Sequence, residues 1–140
     1  MGNLVLIDTN AWITYFDPKY RGMPDVANEV EHLIDSERAC YTEINYMEIF
    51  VGIKSEEDVR KFKSAFSAVL LKSLVDRKLW HSAHQNAYKL WKGGFRFKLV
   101  DLLIATVAIH YDLELFHHDT DFLDMKNSLP LQEYNLLKKN

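Results

Sequence analysis

Cysteine is almost missing from this chain. Cys40 is the only one in 140 residues, so no internal disulfide can form and a disulfide-stapled scaffold is excluded. With three prolines and five glycines, there is no Pro/Gly-rich linker, and no internal repeat or low-complexity segment is visible. No apolar run approaches the ~20 residues of a membrane-crossing helix. The longest, Leu102 to Ile109, is interrupted by Thr106. A large excess of one charge is missing too: 17 Lys+Arg against 20 Asp+Glu gives −3 with neutral histidine. That is too little to imply a partner, and it argues against coating nucleic acid by bulk charge. The start, Met1-Gly2-Asn3-Leu4-Val5-Leu6, lacks the basic opening and long apolar stretch of a signal peptide. Leu6 also stands where a myristoylation site needs Ser or Thr. Together with the lone cysteine, these absences predict a soluble, cytoplasmic protein with no membrane partner.

What is present is an ordinary globular balance, 48% apolar and 26% charged, in a length that suits one domain, residues 1–140. Leu4-Val5-Leu6-Ile7 is wholly apolar, as a strand covered on both faces requires. Further strands are expected at 39–42, 114–117 and 131–134, with a polar tail after the last. Apolar residues at helical spacing predict helices over 11–16, 24–36, 44–54, 56–74, 76–92, 100–111 and 119–126. Asp17-Pro18 breaks the first of them and Gly93-Gly94 ends the fifth. On the third helix Ile44, Met47 and Val51 form one stripe, and on the fourth Phe62, Phe66, Val69 and Leu70 do. The helix over 100–111 is apolar nearly all round, which marks it as buried. Strands alternating with helices imply a three-layer α/β/α sandwich around a mainly parallel sheet.

Ligands of a parallel sheet gather outside the carboxyl ends of its strands, and acids collect there. Asp8 follows the first strand, Asp119 and Asp121 follow the third, and Asp101 opens the buried helix. Glu48 faces with the apolar stripe of its helix, and Glu43 competes for its role if the helix phase is shifted. Each of Asp8, Asp101 and Asp119 also reads as a helix cap, worth about 1 kcal/mol. Capping does not account for Glu48 on an apolar face, where an unpaired carboxylate is costly. Several carboxylates in one pocket call for a divalent cation, and an all-oxygen set suits Mg²⁺ or Mn²⁺. Such an ion polarises phosphoryl oxygens and lowers the pKa of bound water, the chemistry of phosphodiester hydrolysis.

Four segments carry a family resemblance that spans the chain: Leu6-Ile7-Asp8-Thr9-Asn10, Asn45-Tyr46-Met47-Glu48-Ile49-Phe50-Val51-Gly52, Val100-Asp101-Leu102-Leu103-Ile104-Ala105, and His118-Asp119-Thr120-Asp121-Phe122. In order and distance they resemble the motifs of the PIN-domain family, and more narrowly of VapC-type ribonuclease toxins from toxin–antitoxin pairs. The resemblance implies an acidic quartet of Asp8, Glu48, Asp101 and Asp119. Asp8, Asp101 and Asp119 would hold the ion, partly through water, and Glu48 would position or deprotonate the attacking water. Asp121 would be a supporting ligand or brace one from outside, and Thr9 and Asn10 would orient Asp8 or a metal-bound water. It also implies a small antitoxin partner, whose helix or extended tail lies in a groove, and a homodimer. Where many relatives carry Thr or Ser shortly before the first Asp of the closing motif, this chain has His117-His118.

An acidic pocket repels phosphate, so an RNA substrate needs positive contacts. Trp91-Lys92-Gly93-Gly94-Phe95-Arg96-Phe97-Lys98 interleaves bases with aromatics just before Asp101. Lys92, Arg96 and Lys98 are candidates for phosphate contact, and the rings for stacking on unpaired bases; the other reading has Phe95 and Phe97 in the core and the bases solvated. Aromatics on the helices over 56–74 and 76–92 (Phe62, Phe66, Trp80, Tyr88, Trp91) serve the core or line the partner's groove. His81 and His84 lack the third ligand of a zinc site, His117 and His118 read as mostly structural, and Cys40 as a buried apolar residue. Two alternatives stand beside the nuclease: a catalytically silent PIN-like scaffold that binds RNA or protein, and another Mg-dependent phosphoryl-transfer domain. Asp8-Thr9-Asn10 lacks the second acid that the haloacid-dehalogenase pattern places after the first strand.

Overall fold

The computed structural model describes residues 3–17 and 24–134. The start at Met1-Gly2, Pro18 and the polar tail after Tyr134 lie outside the described residues. Five short strands, β1 (Val5–Ile7), β2 (Ala39–Tyr41), β3 (Leu70–Leu71), β4 (Glu114–Phe116) and β5 (Gln132–Glu133), alternate with helices. Those are α1 (Thr9–Phe16), α2 (Pro24–Asp35), α3 (Glu43–Val51), α4 (Glu56–Phe66), α5 (Arg77–Lys92), α6 (Leu99–His110) and α7 (Thr120–Met125). The sheet order is β3-β2-β1-β4-β5, and every pairing is parallel.

Strand side chains alternate between faces, and here both faces are apolar. Leu6, Cys40 and Leu115 point into one core with Leu79, Ala83 and Leu90 of α5 and the buried face of α6. Val5, Ile7, Ala39 and Phe116 point into the other, with Trp12 of α1, Val30 and Leu33 of α2, Ile49 of α3, and Phe62 and Phe66 of α4. The result is the expected α/β/α sandwich. From β1 the chain moves outward through β2 and β3, then crosses back to β4 and β5. The reversal between β1 and β4 is the topological switch point, and a crevice opens beyond the carboxyl ends of those two strands. None of the helices among the described residues is long and apolar enough to cross a membrane.

Three local expectations need correction. The helix expected over 56–74 stops at Phe66, and Leu70–Leu71 pairs with β2 as an edge strand. Phe62, Phe66, Val69 and Leu70 do match a helical period, but Leu70 is half exposed at the sheet edge. Helical spacing over so short an apolar run does not separate a helix from a turn into a strand. On α3 the expected stripe of Ile44, Met47 and Val51 is displaced: Met47 and Val51 are exposed, while Asn45 and Ile49 are buried. Finally, α4 and α5 lie on opposite faces of the sheet, so their aromatics do not meet in one groove. Phe62 and Phe66 are core, whereas Trp80, Tyr88 and Trp91 are exposed.

Candidate metal centre

The switch-point crevice collects the acids. β1 delivers Asp8 to its mouth, where Asp8 caps α1 by accepting the Asn10 N–H at 3.4 Å. β4 leads to Asp119, which caps α7 by accepting the Asp121 N–H at 2.9 Å. Capping is therefore part of what these two aspartates do, and it leaves lone pairs on each carboxylate for other partners. Asp101 is different. The N-cap of α6 is Lys98, which makes no side-chain cap bond. Asp101 lies inside the first turn, and its Oδ2 is buried without a hydrogen-bond partner among the described residues.

One carboxylate oxygen each from Asp101, Asp119 and Asp121 lies within 4.8 Å of the other two. Burial pushes the Asp101 carboxyl up to about 6, and the charges of Asp119 and Asp121 add to it, with Lys98 opposing and Glu48 adding a little. Burial pushes Asp8 up to about 7, although the main-chain N–H groups of Thr9 and Asn10 pull the other way. The charges of Asp101 and Glu48 raise it further. These couplings join Asp8, Glu48, Asp101, Asp119 and Asp121 into one electrostatic cluster. No other such cluster of His, Cys, Asp and Glu occurs among the described residues, and none forms around the exposed His81 and His84.

Glu48 arrives by a route that the apolar stripe did not reveal. It shares a face of α3 with Asn45 and Ile49, and it accepts a hydrogen bond from the Thr9 hydroxyl. Asn45 was missed in the sequence. Its Oδ1 accepts from the Thr42 N–H at 2.9 Å and the Thr42 hydroxyl at 3.0 Å, and its Nδ2 donates to Thr9 Oγ1 at 3.0 Å. The Thr42 hydroxyl in turn accepts the Asn45 N–H. This is a capping box with Asn in the third helical position usually held by Glu or Gln. The only available signal was Thr42 three residues before Asn45. Glu43, the competitor, turns away to bind Ser73 Oγ and the Leu74 N–H. Thr9 and Asn10 meet Asp8 through their main-chain N–H groups, while the Thr9 side chain serves Glu48.

Around the rim, Phe95 and Phe97 pack partly into the α5–α6 core while Lys92, Arg96 and Lys98 are exposed. Gly94, at φ +78°, supplies the left-handed turn that ends α5 and sends this stretch back toward α6. Cys40 is buried in the sheet and its thiol is pushed up to about 11 by that burial, which leaves it unreactive. On the opposite face of the sheet a cleft of about 500 Å³ opens between α1, α3 and α4, lined by the apolar Ile13, Phe16, Ile49, Ile53 and Phe62 and by the charged Asp17, Lys54 and Asp58.

Fold and site together define an α/β/α domain with an acidic pocket at the switch point of a parallel sheet. A model of the PIN domain matches residues 5–127, and the chain belongs to the PIN-domain family. Solved structures share the fold. VapBC2 from Rickettsia felis, bound to a DNA fragment from its promoter, is 19% identical over 94% of this chain and 98% of that one, with a TM-score of 0.77. DNA-bound VapBC from Salmonella typhimurium is 18% identical over 96% and 99%, TM-score 0.77. VapBC-1 from nontypeable Haemophilus influenzae is 20% identical over 96% and 98%, TM-score 0.73. No curated protein matches this chain.

Proposed function

We propose that this PIN domain is a divalent-metal-dependent endoribonuclease, and that it works as the toxin of a toxin–antitoxin pair. One observation carries the catalytic reading. Asp101 has one buried, unpartnered oxygen, and its carboxylate lies within 4.8 Å, oxygen to oxygen, of those of Asp119 and Asp121. Such a group stays buried at a cost unless a cation compensates it. The donor set is all oxygen, which fits a hard ion such as Mg²⁺ or Mn²⁺.

Asp101, Asp119 and Asp121 would hold that ion, with Asp8 beside them, directly or through water. When bound, a hard dication supplies charge neutralisation at the scissile phosphate and a lowered pKa for the attacking water. The protein's own groups do the rest. Thr9 holds one oxygen of Glu48, which fixes the carboxylate and leaves Oε2 to orient the water and accept its proton. Lys98, whose charge reaches Asp101, stands with Arg96 and Lys92 to offset the repulsion between the pocket and an approaching phosphate chain.

The toxin role is supported by solved structures that share this fold and are described as toxin–antitoxin assemblies, among them one from Klebsiella pneumoniae and VapBC-5 from Mycobacterium tuberculosis. The cleft between α1, α3 and α4, with its mainly apolar lining and charged Asp17, Lys54 and Asp58, suits an amphipathic helix, and we assign the antitoxin to it. A homodimer and a cytoplasmic setting accompany this reading. The test is cleavage of single-stranded RNA by the purified protein with Mn²⁺, repeated on Asp101→Asn. Metal-dependent cleavage that falls at least ~100-fold in the variant, with its circular dichroism unchanged, is the expected result. Equal cleavage by both proteins overturns the assignment, and none by either leaves a silent scaffold.

A further inference from the structure

His117 stands beside the acids without a part in the reaction described above. It leaves β4 with only 4% of its side chain exposed, and its ring packs on Phe122 at 5.0 Å between centroids. Both ring nitrogens are engaged. Nδ1 accepts the Asp119 N–H at 3.1 Å. Nε2 lies 2.8 Å from Glu133 Oε2 on β5, and the other oxygen of Glu133 accepts from Lys126 Nζ at 2.5 Å.

These contacts dictate the tautomer. A nitrogen that accepts an N–H carries no proton, so the neutral ring bears its proton on Nε2 and donates it to Glu133. The bond to Asp119 spans two residues, the span that Asx and ST turns use with a side-chain oxygen as acceptor. It is followed by a second bond of the same span, from the Asp121 N–H to Asp119 Oδ1. The two bonds form a ladder, anchored at its base to β5, that holds the main chain of Asp119 and Asp121 and the Asp119 carboxylate.

We propose that His117 is a positioning residue of the acid pocket: its Nδ1 holds the Asp119 N–H and thereby sets how Asp119 and Asp121 present their carboxylates to the ion. The inference deepens the metal reading above and rests on it. The competing role is plain packing, in which His117 fills space beside Phe122 and ties β4 to β5.

Two substitutions in the full chain separate these roles. His117→Asn places an acceptor oxygen near the Nδ1 position and gives up the Glu133 link. His117→Gln reaches Glu133 and gives up the acceptor. Mn²⁺ affinity is read by electron paramagnetic resonance, stability by thermal melting, and the bond itself by two-bond N–N coupling between Asp119 and His117 Nδ1 in the metal-free protein. The expected pattern is visible coupling in the unmodified protein, affinity within ~3-fold in His117→Asn, and affinity weakened ~10–100-fold in His117→Gln. Wild-type affinity in His117→Gln, or losses that follow melting temperature in both variants, overturns the proposal. Failure of the unmodified protein to take up Mn²⁺ retires the metal reading instead. The coupling then decides, its absence overturning the role of His117 and its presence sustaining it as the anchor of Asp119. The same measurement decides if either variant fails to fold.

Discussion

The Thr9 hydroxyl at the start of α1 donates to the carboxylate of Glu48 on α3, 39 residues along the chain. Its direction is not free. Thr9 Oγ1 already accepts from Asn45 Nδ2, and Asn45 Oδ1 already accepts from Thr42. The hydroxyl proton is thereby committed to Glu48. A cap at one end of α3 thus becomes the support of an acid one turn further along.

Thr9→Val keeps the shape of the side chain and removes the hydroxyl. It leaves Asn45 Nδ2 without its acceptor in a buried site, at a cost of ~1–3 kcal/mol. It also frees Glu48, so kcat for RNA cleavage is expected to fall ~10-fold, the low end for lost supporting bonds, with KM little changed. Thr9→Ser should restore most of the rate. Steady-state kinetics of the two variants check this, and equal rates in Val and Ser would detach Thr9 from the chemistry.

Crowded acids make the metal-free protein sensitive to pH. Asp8 is held near 7 against an ordinary 3.8, so between those values the folded state retains a proton that the unfolded chain has lost. Stability therefore falls as pH rises through that window. At ~1.4 kcal/mol per pH unit the Asp8 contribution is capped at ~4 kcal/mol. Melting temperature in chelator should drop from pH 5 to pH 8, and Asp8→Asn should flatten the drop. Mn²⁺ should raise the melting temperature more at pH 8 than at pH 5, because protons compete for the same oxygens.

Arg96 is exposed on the rim, so Arg96→Glu is expected to leave melting unchanged while raising KM for RNA, most strongly at low salt. A KM that does not move, measured at two ionic strengths, would remove this stretch from the substrate path.

Ile53 lines the apolar cleft, on the sheet face opposite the α5–α6 core. Ile53→Asp is expected to abolish capture by the antitoxin on co-expression, and to leave Mn²⁺ binding intact. Pull-down against calorimetry reads both sides of that separation.

Much of the candidate site is legible as a grouping because its acids follow apolar strands or open a buried helix, where a parallel sheet gathers ligands. Asp8, Asp101 and Asp119 needed only that rule. Glu48 was reached by a stripe that proved displaced, since Met47 and Val51 are exposed and polar Asn45 is buried. A hydrophobicity pattern counts Asn45 as surface; a buried hydrogen-bond network puts it inside. Leu70 was assigned to a helix for a related reason, because pairing with Cys40 across the sheet leaves no trace in local periodicity.

The order of residues by itself determined the alternation of strands and helices, the double-sided burial of the sheet, and the placing of acids at strand ends. These follow from nearest-neighbour stereochemistry and the period of apolar side chains. Only the tertiary structure decided that Asp101 caps nothing, that Thr9 serves Glu48, and that His117 bridges Asp119 to Glu133. Those are hydrogen bonds, or the lack of one, between groups brought together by folding, and their partners are set by where packed layers place them.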